Sequence, residues 1–434
     1  MFGYYLSLAL RSFKRNKVLT ALMVLAIALG IGASMTTLTV FHVLSGDPIP
    51  RKSEKLFYVQ LDPKLAAGYK SGEEPQEQLT RFDAEELLRQ KHAKRQAMMT
   101  GGGQTIDTVG SGAKPIVIDA RWTSADFFAM FDTPFLYGHG WSAAEDDGHA
   151  RVTVIAKALN DKLFDGSDST GKTLRMNGTD FRIVGVLGDW RPQPHFYDLN
   201  VGRYGTDEQV FAPFSTAVEL KLGINGTMNC FGKEATVEMT ALNAPCVWIQ
   251  YWVELDDPSQ ADDFKAYLDN YSRQQHEAGR FERPPNTRLR NVMQWLDHAN
   301  VVPSDVHLQL WLALGFLLVC LVNTVSLLLA KFLRRVGEIS VRRALGASRT
   351  EIFKQCLVEA GTIGLAGGVL GLALTELGLW AVRHRPTEYA ALANLDGSML
   401  LTTFALALLA SLLAGVLPAW RAMQIAPAIQ LKSQ

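Results

Sequence analysis

The chain has 434 residues, with 43 Lys and Arg against 43 Asp and Glu, 48% hydrophobic residues and 20% charged ones. A zero formal charge offers no electrostatic footprint for nucleic acid, which excludes that class of partner, and the length allows more than one folding unit. The averages hide a segregation: four long stretches carry almost no charge, and an acidic stretch lies between the first two.

Residues 1–17 place Phe2, Tyr5, Leu6, Ala9, Leu10 and Phe13 at helical spacing, with Arg11, Lys14, Arg15 and Lys17 near the end. This predicts an interfacial helix on the membrane surface, the alternative being a plain extension of the first span. Residues 18–44 follow as span one. At about 1.5 Å per residue this run crosses a hydrocarbon core of about 30 Å. It is longer than a signal-peptide core of about 7–15 residues, so it reads as a retained anchor.

Residues 45–305 read as a large α/β domain. From residue 46 to 305 they hold 28 basic and 37 acidic residues. Strands are predicted at 57–61, 152–155 and 247–253, and helices at 83–91, 156–164 and 259–275. Residues 166–173, GSDSTGKT, match the phosphate-loop pattern G-x4-G-K-[ST]. A functional phosphate loop follows a strand and opens a helix. Here the motif follows the 156–164 helix and precedes two strands, 173–176 and 180–187, joined by Asn177-Gly178, the pair that favours a tight hairpin. Asp168 would also put a carboxylate in the cradle. The segment is therefore read as a loop, with no nucleotide site in this chain. Cys230 and Cys246 lie in this domain, and an oxidising compartment would let them form a disulfide. No metal-ligand cluster or nucleophile motif stands out, so no metal, cofactor or catalytic residue is expected.

Span two is placed at 306–330, span three at 357–382 and span four at 398–420, with a short loop at 383–397. His42 and His307, near the outer ends of spans one and two, read as interfacial residues. Span three holds Glu359 and Glu376 near its two ends, where interfacial hydration is expected. It also carries two G-x-x-x-G pairs, Gly364/Gly368 and Gly367/Gly371, which suit close helix packing. Packing within one subunit and a sliding contact both fit them. Lys and Arg concentrate in 1–17, in 331–356 and in the tail 421–434, which puts these three segments and both termini on the cytoplasmic side. The 45–305 domain then lies outside.

Residues 334–353, RRVGEISVRRALGASRTEIF, are the most informative stretch. A basic helix over 334–345 allows a Glu338–Arg342 pair, Gly346 stops it, and Ser348 with Glu351 forms a capping box that starts the next helix. This segment resembles the cytoplasmic loop of the MacB/FtsX-type ABC transporter permeases in Arg335, Gly337, Glu338, Ile339, Arg342, Arg343, Ala344, Leu345, Gly346 and Ala347. The start of the chain, with Arg11, Asn16, Gly30 and Gly32, is similar to the family start. Residues 415–432, with Pro418, Ala419, Arg421 and Pro427, resemble its end, and 151–187 resemble its periplasmic core domain. Residues 190–245 match no part of that pattern, which leaves room for a lineage-specific elaboration.

The resemblance implies a non-catalytic permease subunit of the bacterial inner membrane, whose outer domain has two subdomains. ATP and magnesium would sit on a separate ABC ATPase subunit contacting 335–347. A second permease copy or homologue would complete the assembly, and a periplasmic adaptor with an outer-membrane duct would fit an exporter. The implied function is ATP-driven movement of the outer domain for export. The alternatives are a transmembrane signal to an extracytoplasmic enzyme and lipoprotein extraction.

Overall fold

The computed structural model describes residues 3, 13, 17–107, 115–232, 238–386 and 389–424. The interfacial helix expected over 1–17 falls almost wholly outside them, as does the tail beyond 424. The chain divides into two compact units: Met1–Ser45 with Val302–Gln434, and the inserted Gly46–Val301.

The inserted unit is built on one sheet of twelve strands among the described residues. In chain order these are β1 (Leu56–Gln60), β2 (Leu79–Thr80), β3 (Arg95–Ile106), β4 (Ile116–Thr123), β5 (Phe135–Gly138), β6 (Val152–Ile155), β7 (Thr173–Met176), β8 (Thr179–Leu187), β9 (Val210–Pro213), β10 (Asn229–Cys230), β11 (Cys246–Glu254) and β12 (Arg288–Asn291). Their main path is β12-β1-β11-β3-β4-β9-β6-β8-β5. The pairs β4–β9 and β6–β8 are parallel, and the other neighbours along the path antiparallel. Its helices include α1 (Arg81–Gln90), α2 (Lys157–Phe164) and α3 (Ala261–Glu277). β11 is buried along its whole length because it lies between β1 and β3, with β2 and β10 at its first half. Its run CVWIQYWVE has the near-continuous apolar character such a position requires. Tyr58 stacks on Trp295 and tilts against Trp252.

Part of the segment 190–245 is built into the sheet rather than appended to it. It supplies β9, which lies between β4 and β6 in the sheet. One apolar cluster runs from Phe57 and Trp248 through Trp122 to Ile155 and Phe181, so sheet and core continue through the region where two subdomains were expected.

The other unit holds the four helices, among the described residues, long and apolar enough to cross a membrane. They are span one (Lys17–Ser45), span two (Ser304–Leu333), span three (Arg349–Arg383) and span four (Gly397–Met423). Small residues let the helices close up. A Cβ on Gly30 would stand 3.0 Å from Leu317 of span two, and one on Gly32 would stand 2.8 Å from Leu374 of span three. Ser34 Oγ donates to the Ala313 carbonyl of span two at 3.0 Å.

Candidate coupling site between spans two and three

The segment joining spans two and three is a short helix followed by a built corner. Val336–Ala344 is helical, starting two residues later than the sequence pattern implied. Arg334 and Arg335 therefore sit at the bend out of span two. The corner is a Schellman turn: the Ala347 amide donates to the Arg342 carbonyl at 3.0 Å and the Gly346 amide to that of Arg343 at 3.2 Å. Gly346 sits at φ +103, which an L side chain rarely adopts. Ser348 follows directly; its hydroxyl accepts from the Glu351 amide at 3.2 Å while the Glu351 carboxylate accepts from the Ser348 amide at 2.8 Å. Span three thus begins at a capping box and runs on without a break.

The predicted site residues divide by face. Arg342 pairs with Glu338 at 3.2 Å and donates to Gln355 of span three at 2.8 Å. Arg335 pairs with the same Glu338 at 3.0 Å, and Arg343 donates to the carbonyl of Met423, the last residue of span four. Ile339 is buried and Ala347 packs beside it in the core of the bundle. Gly337 and Ala344 are exposed on the helix. Val341 and Leu345 are 59% and 83% exposed, a large apolar pair left uncovered at the outer side of the corner.

One expectation is overturned here. Glu359 is not a hydrated acid near a span end: it is 2% exposed and held between Lys331 at 2.8 Å and Arg335 at 2.9 Å. The long span three carries it inward past the corner, so cations of the neighbouring segments surround it rather than water. Lys331, Thr20 and Gln355 complete this cluster and were missed. In the sequence Lys331 reads as one more charge that sets orientation. Glu376, by contrast, is 49% exposed at its side chain and 3.5 Å from Arg383.

The two G-x-x-x-G pairs face different neighbours. Cβ atoms on Gly364 and Gly368 would meet Ser411 and Ala407 of span four, whereas those on Gly367 and Gly371 would meet Ile27 and Ile31 of span one. Both pairs therefore pack within the chain. His307 packs edge-on against Phe41 at 5.3 Å.

In the inserted unit, Cys230 and Cys246 are joined by a disulfide that ties β10 to β11. GSDSTGKT is a closed loop between α2 and β7. The Gly171 amide donates to the Ile183 carbonyl at 2.8 Å, that of Lys172 to Ser169 at 3.1 Å, and that of Thr170 to the Asp168 carboxylate at 2.9 Å. Asn177 and Gly178, both at positive φ, then turn β7 into β8. These three amides are engaged within the fold rather than turned outward as in an open phosphate nest. Elsewhere in this unit, Arg121 is buried between Asp198 and Glu208, and Tyr197 donates to Glu208 at 2.7 Å. Burial pushes Glu208 up, but Arg121 and His195 outweigh it and hold the carboxyl below its ordinary value. A cavity of about 490 Å³ opens beside this cluster, lined by Lys157, Trp190, Tyr197 and Phe211.

Two family descriptions match the chain: MacB-like periplasmic core domain over residues 20–271 and FtsX-like permease C-terminal over 311–427. The first match includes 190–245. Curated relatives include the macrolide export ATP-binding/permease proteins MacB of Rhodospirillum rubrum, 26% identical over the whole chain, and of Marinobacter nauticus, 25% identical over 98% of it. The pyoverdine export ATP-binding/permease protein PvdT of Pseudomonas entomophila is 24% identical over 77% of the chain. The chain spans only 61%, 60% and 45% of the lengths of these three relatives. Among solved structures, the periplasmic region of MacB from Actinobacillus actinomycetemcomitans aligns with a TM-score of 0.36 and 13% identity, over 56% of this chain and 92% of that one.

Proposed function

Because the chain belongs to the FtsX-like ABC permeases that carry a MacB-like periplasmic core domain, we propose that it is the membrane-spanning subunit of an ATP-driven exporter. ATP and magnesium are bound by an ABC ATPase on another chain, and the segment from Arg335 to Ala347 receives its stroke on the cytoplasmic side. The inserted domain, on the far side, is moved by that stroke to handle cargo.

The observation that supports this reading is the corner itself. A short helix pinned to spans three and four by Arg342 and Arg343, closed by a Schellman turn and followed at once by the capping box of span three, is suited to act as a lever. Its uncovered Val341 and Leu345 offer the apolar anchor that a protein partner would bury. A second permease copy or a homologue completes the complex. Affinity purification of the full chain from its native membranes tests the reading. An ABC ATPase should co-purify and hydrolyse ATP, and a preparation that retains no ATPase contradicts it.

A further inference from the structure

The charged cluster at the start of the connecting helix has a geometry that packing does not require. Lys331 lies in the last turn of span two and is fully enclosed. Its ammonium lies 2.8 Å from one carboxylate oxygen of Glu359 in span three and donates to Thr20 Oγ1 of span one at 3.3 Å. It also stands 5.2 Å from the centre of the Phe13 ring. The other oxygen of Glu359 accepts from Arg335 at 2.9 Å. Arg335 holds Glu338 of the connecting helix, Glu338 holds Arg342, and Arg342 returns to span three through Gln355.

We infer that Lys331 and Glu359 are positioning residues for transmission: with Arg335 they form a clasp that obliges the connecting helix and spans one to three to move as one body. The inference rests on the ATP-driven reading above. Buried ion pairs are poor sources of stability, since apolar residues of similar volume commonly replace them without loss. What they add is direction. Apolar contacts are non-directional and allow sliding, as at the small-residue seams with Ile27, Ile31, Ala407 and Ser411. Glu359 instead gives each oxygen to a cation on a different segment and is itself only 2% exposed. A connecting helix that shifts must either strip a buried carboxylate or carry the end of span two and the body of span three with it. Glu376, half-exposed beside Arg383, can exchange its partner for water and is the natural control.

The test is hydrogen exchange on the full complex in lipid discs, with and without ATP and vanadate. In the wild type, nucleotide changes exchange both in 336–347 and in spans one and two. Glu359→Gln and Lys331→Met should keep ATP hydrolysis and the response of 336–347, yet lose the span response; Glu376→Gln should lose neither. A purely structural role would instead lower assembly while leaving the span response intact in whatever assembles. Should either variant fail to assemble, Lys331→Met with Glu359→Leu, which leaves no unpaired charge in this pair, takes its place. A span response unchanged in these variants overturns the clasp. A wild-type complex that hydrolyses ATP without any span response overturns the permease reading instead. The clasp is then still read in the chain alone. There Glu359→Gln should speed exchange by about tenfold or more, the scale of a lost hydrogen bond to a charged group, in the connecting helix and the last turn of span two together. Loosening of one without the other overturns it.

Discussion

The ammonium of Lys172 lies over the Phe164 ring, 4.8 Å from its centre, and points to no vacant cradle. Lys172→Ala should leave ATP hydrolysis by the assembled complex unchanged and cost about 0.5–1 kcal/mol of stability, the scale of an exposed cation–π contact. Loss of hydrolysis would reinstate the loop as a nucleotide site. Asp146 carries a pH dependence. Burial, only partly offset by the Ala125 amide and the Ser215 hydroxyl, pushes its carboxyl from 3.8 up to about 6. Between those values the folded chain keeps a proton that the unfolded chain has released, so this group's contribution to stability falls as pH rises through the window. Denaturation midpoints of the full chain in detergent should show that decline and lose it in Asp146→Asn; equal slopes would contradict the assignment. That 166–173 is a loop ahead of a hairpin was legible in the sequence because its flanks are local. The raised Asp146 could not be seen, because the burial that raises it comes from packing against segments distant in sequence.

Among the elements, the corner after span two was the most legible, since Gly346, Ser348 and Glu351 act within one or two turns of one another. The hairpin at Asn177-Gly178 was legible for the same reason. The helical register of the spans was not. Which neighbour Gly364 or Gly367 touches depends on how each helix is rotated, and that is settled by packing across the bundle. The same rotation carries Glu359 to Lys331, a pairing that no local spacing encodes. The glycine seam gives a graded expectation. A Cβ on Gly364 would fall 2.0 Å from Ser411 Oγ, whereas one on Gly361 has nothing nearer than 3.7 Å. Gly364→Val should destabilise the bundle by about 1–3 kcal/mol or more, as overpacking does, while Gly361→Ala should be tolerated. Thermal unfolding of the two variants decides it, and equal behaviour would rule out the seam.

At the scale of the whole molecule, four spans and one inserted α/β unit were readable because charge and apolar length separate so sharply along the chain. The course of the sheet was not. Segment 190–245 has little strand patterning, yet it delivers β9, whose pairing partners β4 and β6 are far away in sequence. The functional account has its weight on the corner between spans two and three. Arg342 and Arg343 are tied to Gln355 and Met423, so reversing their charge would also disturb the scaffold. Leu345, 83% exposed, can be altered without removing an internal contact of that kind. The most direct measurement is therefore photo-crosslinking in cells from a photoreactive residue at position 345, with Val117 of the inserted unit, 80% exposed, as the comparison site. The account predicts an adduct between position 345 and an ABC ATPase and none from 117. Adducts from 345 that contain only lipid, or an ATPase captured from 117 instead, would contradict it.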